Sequence, residues 1–315
     1  MTLRVLRPGL LTTVQDLGRP GYQNQGVVVG GAVDRFALRV ANLLVGNLEG
    51  AAALEITLHG PRLHVESDVY LAIGGADLSP ALDGEPLPLW RPLLAPRGTV
   101  LDFGAPRRGC RAYLAIAGGG FDVPVVLGSR SAYLRAGIGR ALAKGDVIAP
   151  LGTPPRTRLR TSAYLHPALL PAYSPHPLLR VLRGNQFETF TPESRERFFQ
   201  TRYTVTPHSD RMGCRLMGGS SLELQHAEQM ISEAVTSGTI QVPPAGGPIL
   251  LLADRQTTGG YPKIGQVAAV DLPLAAQVPP GGTVRFQEIS LEEALSLYVA
   301  RERALLRLKL ALASR

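Results

Sequence analysis

The chain has 315 residues, 45% hydrophobic, with 35 Gly and 26 Pro; that is long enough for about two domains of ~150 residues and apolar enough for packed cores. Its net charge of +8 rests on Arg rather than Lys, which occurs only at 144, 263 and 309; the arginines are scattered, and their one dense cluster (Arg156, Arg158, Arg160) comes with no nucleic-acid module signature, which argues against a nucleic-acid partner. No apolar run reaches the ~18 residues that span a bilayer, the start MTLRVLRPGLLTTVQD has no secretory signal core, and two cysteines make no disulfide framework, so the expectation is a cytoplasmic protein with no membrane partner.

The first dense polar motif is Thr12–Tyr22, TTVQDLGRPGY. Gln15, Asp16 and Arg19 there are candidates to line a cleft or an interface, or to brace a loop as an Asp–Arg pair. The next segment, Asp34–Val45, carries Phe36, Val40, Leu43 and Leu44 at helical spacing, with Asp34 as N-cap and Gly46 as stop. Short apolar runs bounded by Gly, Pro or Asp then predict strands at 62–66, 69–73, 99–103 and 112–116, and in the second half at 239–242, 249–253 and 283–286. Asp83-Gly84 and Gly281-Gly282 fit hairpin turns. Ser290–Leu312 reads as a helix, with a Ser290/Glu293 capping box and basic residues toward its far end.

Seven prolines between Pro150 and Pro177, among them Pro154 and Pro155, mark a boundary between two halves, so subdomains split near 150–178. The halves share weak matches in the same order: Asp34-Arg35-Phe36 with Asp210-Arg211-Met212, Leu54-Glu55-Ile56 with Leu222-Glu223-Leu224, the Gly84 turn with the Gly246 turn, and Gly98-Thr99-Val100 with Gly282-Thr283-Val284. This order points to an internal duplication. The second half holds extra residues between equivalent turns, and these contain Asp254–Lys263 (DRQTTGGYPK).

That segment is the main candidate for a small-molecule site. Gly259-Gly260 permits positive φ and close approach of backbone N–H groups to an anion. Gln256, Thr257, Thr258 and Tyr261 supply polar contacts. Lys263 is a compact charge in a chain that elsewhere uses Arg, and Asp254 is a candidate base or an orienter of Arg255. Arg211 and Arg215 are four apart, so on a helix they share a face and can clamp one anion. Glu233 and Gln241 are further candidates, alongside ordinary strand and turn chemistry. The segment is not a Walker A loop. The six His show no ligand spacing, so no metal site is expected.

Six motifs in order resemble the allophanate hydrolase subunit 2 family, also called the biotin-dependent carboxyltransferase family, whose members include the C subunit of 5-oxoprolinase. They are GLLTTVQDLGRPGY at 9–22, GAVDRFALRVANLLVGN at 31–47, ALEITLHGP at 53–61, LGSRSAYLRAGIG at 127–139, SDRMGCRL at 209–216 and LLADRQTTGGYPKIG at 251–265. The resemblance implies a mainly β fold of two related cyclophilin-like β-barrel subdomains over residues 1–290, followed by a C-terminal helix at 291–315. It implies A and B partner subunits, the latter of the allophanate hydrolase subunit 1 family, and ATP, with Mg2+, as the ligand of the complex. In such a complex ATP would activate the stable lactam of 5-oxo-L-proline for opening to L-glutamate, with Asp254, Lys263 and Glu233 as catalytic candidates. Two other roles are known in the family: a carboxyltransferase component taking carboxybiotin from another protein to a urea-like substrate, and a non-catalytic regulator of a histidine-kinase inhibitor. This chain departs from the family pattern at Val33 in Gly31-Ala32-Val33-Asp34 and at Ala234 in Ser232-Glu233-Ala234-Val235, where a needed positive φ would disfavour Ala.

Overall fold

Alternating apolar runs closed off by turn residues fold as strands over most of the chain, in a computed structural model that describes residues 2–153, 159, 161, 163–226 and 230–313. The Arg156, Arg158 and Arg160 cluster, with Pro154 and Pro155, lies outside those residues. Two units are distinguished: Met1–Arg19, Gly30–Ala172 and Arg303–Arg315 form the first, and Pro20–Val29 with Tyr173–Glu302 the second. No helix among the described residues is long and apolar enough to cross a membrane.

The first unit contains β1 (Leu3–Arg7), β2 (Leu11–Gln15), β3 (Ala53–Thr57), β4 (Arg62–Val65), β5 (Val69–Asp77), β6 (Ala81–Leu82), β7 (Glu85–Pro86), β8 (Pro92–Ala95), β9 (Val100–Asp102), β10 (Arg108–Ile116) and β11 (Val147–Ile148). They form one sheet in the order β11-β1-β4-β9-β6-β7 and another in the order β2-β3-β10-β5-β8. Strand β10 is buried along seven consecutive residues, Cys110 to Ile116, all but Arg111 of them uncharged, so both faces of the strand are covered. Leu54, Ile56, Leu71, Ile73 and Leu114 are fully buried between the layers, each worth ~1.5–3 kcal/mol of apolar burial.

Helix α1 (Arg35–Leu44) lies on β5 and β10. Asp34 caps it by accepting from the Ala37 N–H, and Phe36, Val40, Leu43 and Leu44 are all buried. Gly46, at φ 76°, ends it as expected. The helix sits close to the sheet because Gly74 has no side chain: a Cβ there would come 2.9 Å from the Ala37 carbonyl oxygen.

The second unit contains β12 (Leu178–Arg183), β13 (Tyr203–Val205), β14 (Gly213–Met217), β15 (Glu233–Ala234), β16 (Thr239–Gln241), β17 (Ile249–Leu251), β18 (Thr258–Gly259), β19 (Lys263–Val267) and β20 (Thr283–Glu288). Seven of them close a barrel, β12-β19-β16-β17-β14-β13-β20, while β15 and β18 form a separate two-stranded ribbon. The β12–β20 pairing is parallel; the other barrel pairings are antiparallel. Helix α2 (Pro192–Gln200), capped by Thr191, packs on β20. Its Phe198 stacks on Phe286 at a centroid distance of 4.8 Å, with Tyr203 alongside. Short helix α3 (Leu272–Ala276) follows β19.

Helix α4 (Leu291–Ala313) starts where the sequence places it: the Ser290 hydroxyl accepts from the Glu293 N–H at 3.1 Å. Its basic residues stop short of the last turn, contrary to the dipole reading.

The repeat matches meet different local structure. The Gly84 and Gly246 turns both have positive φ, and Gly98 and Gly282 each precede a strand. Asp34, however, caps a helix, whereas Asp210 folds back on its own backbone, accepting from the N–H groups of Met212 and Gly213. Residues 213–217 then run as a strand, so Arg211 and Arg215 share no helical face. The helical face expected to carry an anion clamp is not formed.

Candidate functional site

The Asp254–Lys263 segment is built from hydrogen bonds that cross the second unit. Asp254 leaves β17 buried, and its carboxylate takes both arms of the Arg211 guanidinium, Nε to Oδ2 at 2.9 Å and Nη2 to Oδ1 at 2.9 Å. The Asp254 N–H also donates to the Arg211 carbonyl. Asp254 therefore anchors one loop to another and does not stand as a free base. Arg255 donates to the Val235 carbonyl and to the Ser237 hydroxyl at 2.9 Å. Arg215 is exposed on β14.

Gly259 and Gly260 do not take positive φ, contrary to the anion-cradle reading. Their role is space. Gly259 lies in β18, paired with Glu233, and a Cβ there would come 2.4 Å from the Gln241 side-chain nitrogen. Gln241 is 1% exposed; it donates to the Tyr261 carbonyl and accepts from Gln256 at 3.2 Å. Ala234 is extended and pairs with Thr258, so the departure from the family glycine causes no backbone strain. Thr258 and Tyr261 are exposed, and the Thr257 carbonyl accepts from the Val235 N–H.

The β15–β18 ribbon brings Glu233 to Lys263, at the start of β19. The buried ammonium donates to Glu233 Oε2 at 2.6 Å. That hydrogen bond, followed by the ammonium charge, holds the Glu233 carboxyl below its ordinary range. A residue that the sequence does not single out completes the group. Gln186 accepts from the Lys263 N–H at 3.1 Å and also hydrogen-bonds Glu233. It reaches them because Gly184 lies against β19, where a Cβ would meet the Lys263 carbonyl oxygen at 2.1 Å. The motif Gly184-Asn185-Gln186 after a strand is the available signal.

Of the expected residues, Lys263 thus meets Glu233 directly, while Gln256 meets Gln241 beside Gly259, the strand partner of Glu233. The ribbon presents one ionised, half-exposed carboxylate backed by a buried ammonium. Arg211, Arg255 and Lys263 are each engaged by protein groups, so the segment as built does not match a phosphate cradle.

In the Thr12–Tyr22 motif, Gln15, Asp16 and Arg19 belong to the first unit, and they brace a loop rather than line a cleft. Asp16 Oδ1 accepts from the Gly18 N–H and from the hydroxyls of Ser129 and Ser131 at 2.6 and 2.5 Å, while Oδ2 accepts from the Arg130 N–H at 2.6 Å. Arg19, 1% exposed, donates to the carbonyls of Ser131 and Val126. Gln15 donates to the Ala132 carbonyl at 3.1 Å. Three residues of the motif thus hold 126–132, the Ser129-Arg130-Ser131 turn of LGSRSAYLRAGIG. That turn borders a cavity of about 420 Å3.

Asp34 is likewise internal. Tyr113 Oη accepts from the Asp34 N–H at 2.8 Å and donates to Glu55 at 2.7 Å, and Glu55 also accepts from the Val33 N–H. Burial first, then the charges of Glu55 and Asp34, push the Tyr113 hydroxyl well above its ordinary value. Burial also raises the neighbouring Cys110 thiol. Asp34 thus fixes the start of α1 from inside the unit and lines no cleft.

Residues 25–288 match the family model for the carboxyltransferase domain, subdomain A and B. The chain belongs to the carboxyltransferase-domain family. Within that family it is similar to the C subunit of 5-oxoprolinase from Escherichia coli (strain K12), at 40% identity over 299 residues covering 93% of each chain. It is similar also to the C subunit of 5-oxoprolinase from Haemophilus influenzae, at 38% identity covering 90% of each. Among solved structures, Kluyveromyces lactis urea carboxylase superposes with a TM-score of 0.89 at 30% identity, covering 98% of this chain and 29% of that one.

Proposed function

We propose that the chain is the C subunit of an ATP-dependent 5-oxoprolinase, which hydrolyses 5-oxo-L-proline to L-glutamate together with A and B subunits. The supporting observation is the nearly end-to-end match to the C subunit of the Escherichia coli enzyme, at 40% identity over 93% of both chains. Opening the lactam demands a polarised carbonyl and a positioned nucleophile. Glu233, kept ionised by Lys263, is the acceptor this chain offers for a water or a substrate N–H. Because the cations around the Asp254–Lys263 segment are already engaged, ATP and any Mg2+ it carries are assigned to a surface formed with the partner subunits, and no phosphate step is routed through this segment.

The test is reconstitution with the A and B subunits and measurement of glutamate formation dependent on 5-oxoproline and ATP. Lys263→Met and Glu233→Gln should each lower kcat by on the order of 10²-fold, the lower range for a positioned acid–base group. Unchanged turnover in both variants would remove the pair from the reaction, and an inactive, correctly assembled complex would overturn the assignment.

The likeness to urea carboxylase supports a second reading, a component that takes a carboxyl group from carboxybiotin on another protein to a urea-like substrate. Avidin separates the two: it blocks a carboxybiotin-dependent reaction and leaves a 5-oxoprolinase untouched.

A further inference from the structure

We propose that the cavity of the first unit is a binding site for a small molecule bearing a carboxylate, with Arg130 as its ion-pair partner. The cavity holds about 420 Å3, within the ~300–1,000 Å3 of small-molecule sites, and like them it is largely apolar with a few polar groups. Val14, Ile138, Leu142 and Ile148 contribute apolar wall, and four charged residues border it: Asp122, Arg130, Arg140 and Asp146.

Two of those charges are spent on each other. Arg140 donates to both oxygens of Asp146, at 2.6 and 2.9 Å. Arg130 is different. Its Nε is buried and meets no hydrogen-bond partner among the described residues. The terminal nitrogens of the same guanidinium are not buried in this way and also make no hydrogen bond to a described residue, so they are the donors that an anion in the cavity meets with a charge-assisted bond.

The surrounding structure fixes this residue by its backbone alone. Asp16 grips the Arg130 N–H and the hydroxyls of Ser129 and Ser131 on either side, and Arg19 holds the Ser131 carbonyl. Two charged side chains, Asp16 and Arg19, are thereby consumed in placing Arg130, whose own guanidinium contributes no bond to the brace. Such supported placement is what a binding group requires.

Charge selects the ligand. The bordering residues sum to zero, and only one guanidinium is uncommitted, so it balances one negative charge and not two. Asp122 on the same wall repels a phosphate dianion but accepts an N–H. A monocarboxylate that also carries an N–H donor satisfies both. This assignment stands on the cavity; the choice of 5-oxo-L-proline as probe rests on the function proposed above.

The experiment is calorimetric titration of the full chain with 5-oxo-L-proline, L-glutamate, 2-pyrrolidinone (the same lactam without its carboxylate) and inorganic phosphate. At least one of the two carboxylates should bind, and Arg130→Met should weaken that binding at least tenfold while leaving the melting temperature unchanged. Arg130→Lys should retain part of it, and 2-pyrrolidinone should not bind. Equal carboxylate affinity in Arg130→Met, Arg130-dependent binding of phosphate in preference to carboxylate, or no carboxylate binding at all would each overturn the site. If Arg130→Met fails to fold, methyl NMR of the unaltered chain decides: shifts at Val14, Ile138 and Leu142 on adding the carboxylate support the site, and their absence sinks it. Binding by the isolated chain is independent of turnover by the three-subunit complex. Carboxylate binding without turnover therefore refutes the function and not the site, and turnover without Arg130-dependent binding does the reverse.

Discussion

Replacing Arg211 by Met should destabilise the second unit strongly, because it strands the carboxylate of Asp254. The two side chains are 11% and 9% exposed and meet through two bonds of 2.9 Å. At that depth water screens little, unlike a surface pair worth ~0–1 kcal/mol. Removing one partner of a buried pair costs ~3–5 kcal/mol, since the remaining charge is left uncompensated. For a unit of this size each kcal/mol moves the midpoint by about 2–4 °C, so the loss should be roughly 6–20 °C. Scanning calorimetry measures it. Hydrogen exchange in peptides covering β14 and β17 checks that the loss is local, because the Leu252 N–H to Met212 carbonyl bond lies beside the pair. The double variant Arg211→Met/Asp254→Leu should recover much of the stability by removing the orphaned charge. A loss below about 1 kcal/mol in the single variant would refute this reasoning, and would reopen Asp254 as a residue held for chemistry.

Other consequences are as direct. Gly184→Ala drives a methyl into the β19 backbone at Lys263; it should cost upward of ~3 kcal/mol, beyond usual overpacking because the neighbour is main chain, and should loosen the Gln186–Lys263–Glu233 group as read by exchange of the Lys263 N–H. Leu127 sits at φ 51° in the tip between Val126 and Ser129, which bond reciprocally. Leu127→Asn should raise stability by ~0.5–1 kcal/mol, since Asn tolerates that conformation; fluorescence of the single, buried Trp90 in the same unit reports the transition. The Glu233 carboxyl is depressed below its ordinary 4.5, so its ion pair contributes fully above that pH and is lost as pH falls through the lower folded value. Glu233→Gln should flatten that part of the acid limb of the stability curve and leave the neutral region's pH dependence unchanged, as read from urea midpoints.

What can be read in the sequence is mostly what is local. Helix α1 is signalled by Asp34, Gly46 and apolar residues one turn apart, and α4 by Ser290; each cap acts within three residues. Strands β4, β5, β9, β10, β16, β17 and β20 fall where short apolar runs meet turn residues, with ends shifted by a few positions. The site is harder, because its pairings are remote. Asp254 meets Arg211 across 43 residues, Lys263 meets Glu233 across 30, and Asp16 meets Ser131 across 115. Composition of one segment names the side chains available but not who neutralises whom. Hence the sequence singles out Lys263 and Glu233 without joining them, and it singles out Asp254 without showing that Arg211 engages its carboxylate. The Arg211/Arg215 error has a different source: a spacing of four fits a helix face, but the Asp210 side chain satisfies the backbone locally and Gly213 opens a strand.

The parallel pairing of β12 with β20 sets a timetable for synthesis. Arg183 at the end of one strand bonds Glu288 at the end of the other, 105 residues later. The barrel cannot close until both have left the ribosome. At ~5–20 residues per second, β12 waits for about 5–20 s with its pairing edge unmet. During that interval Leu179 and Val181, fully buried once the barrel is shut, are open to other chains. Faster elongation across 184–288, or a chaperone that shields the waiting strand, should therefore raise soluble yield more than any change that stabilises the finished barrel.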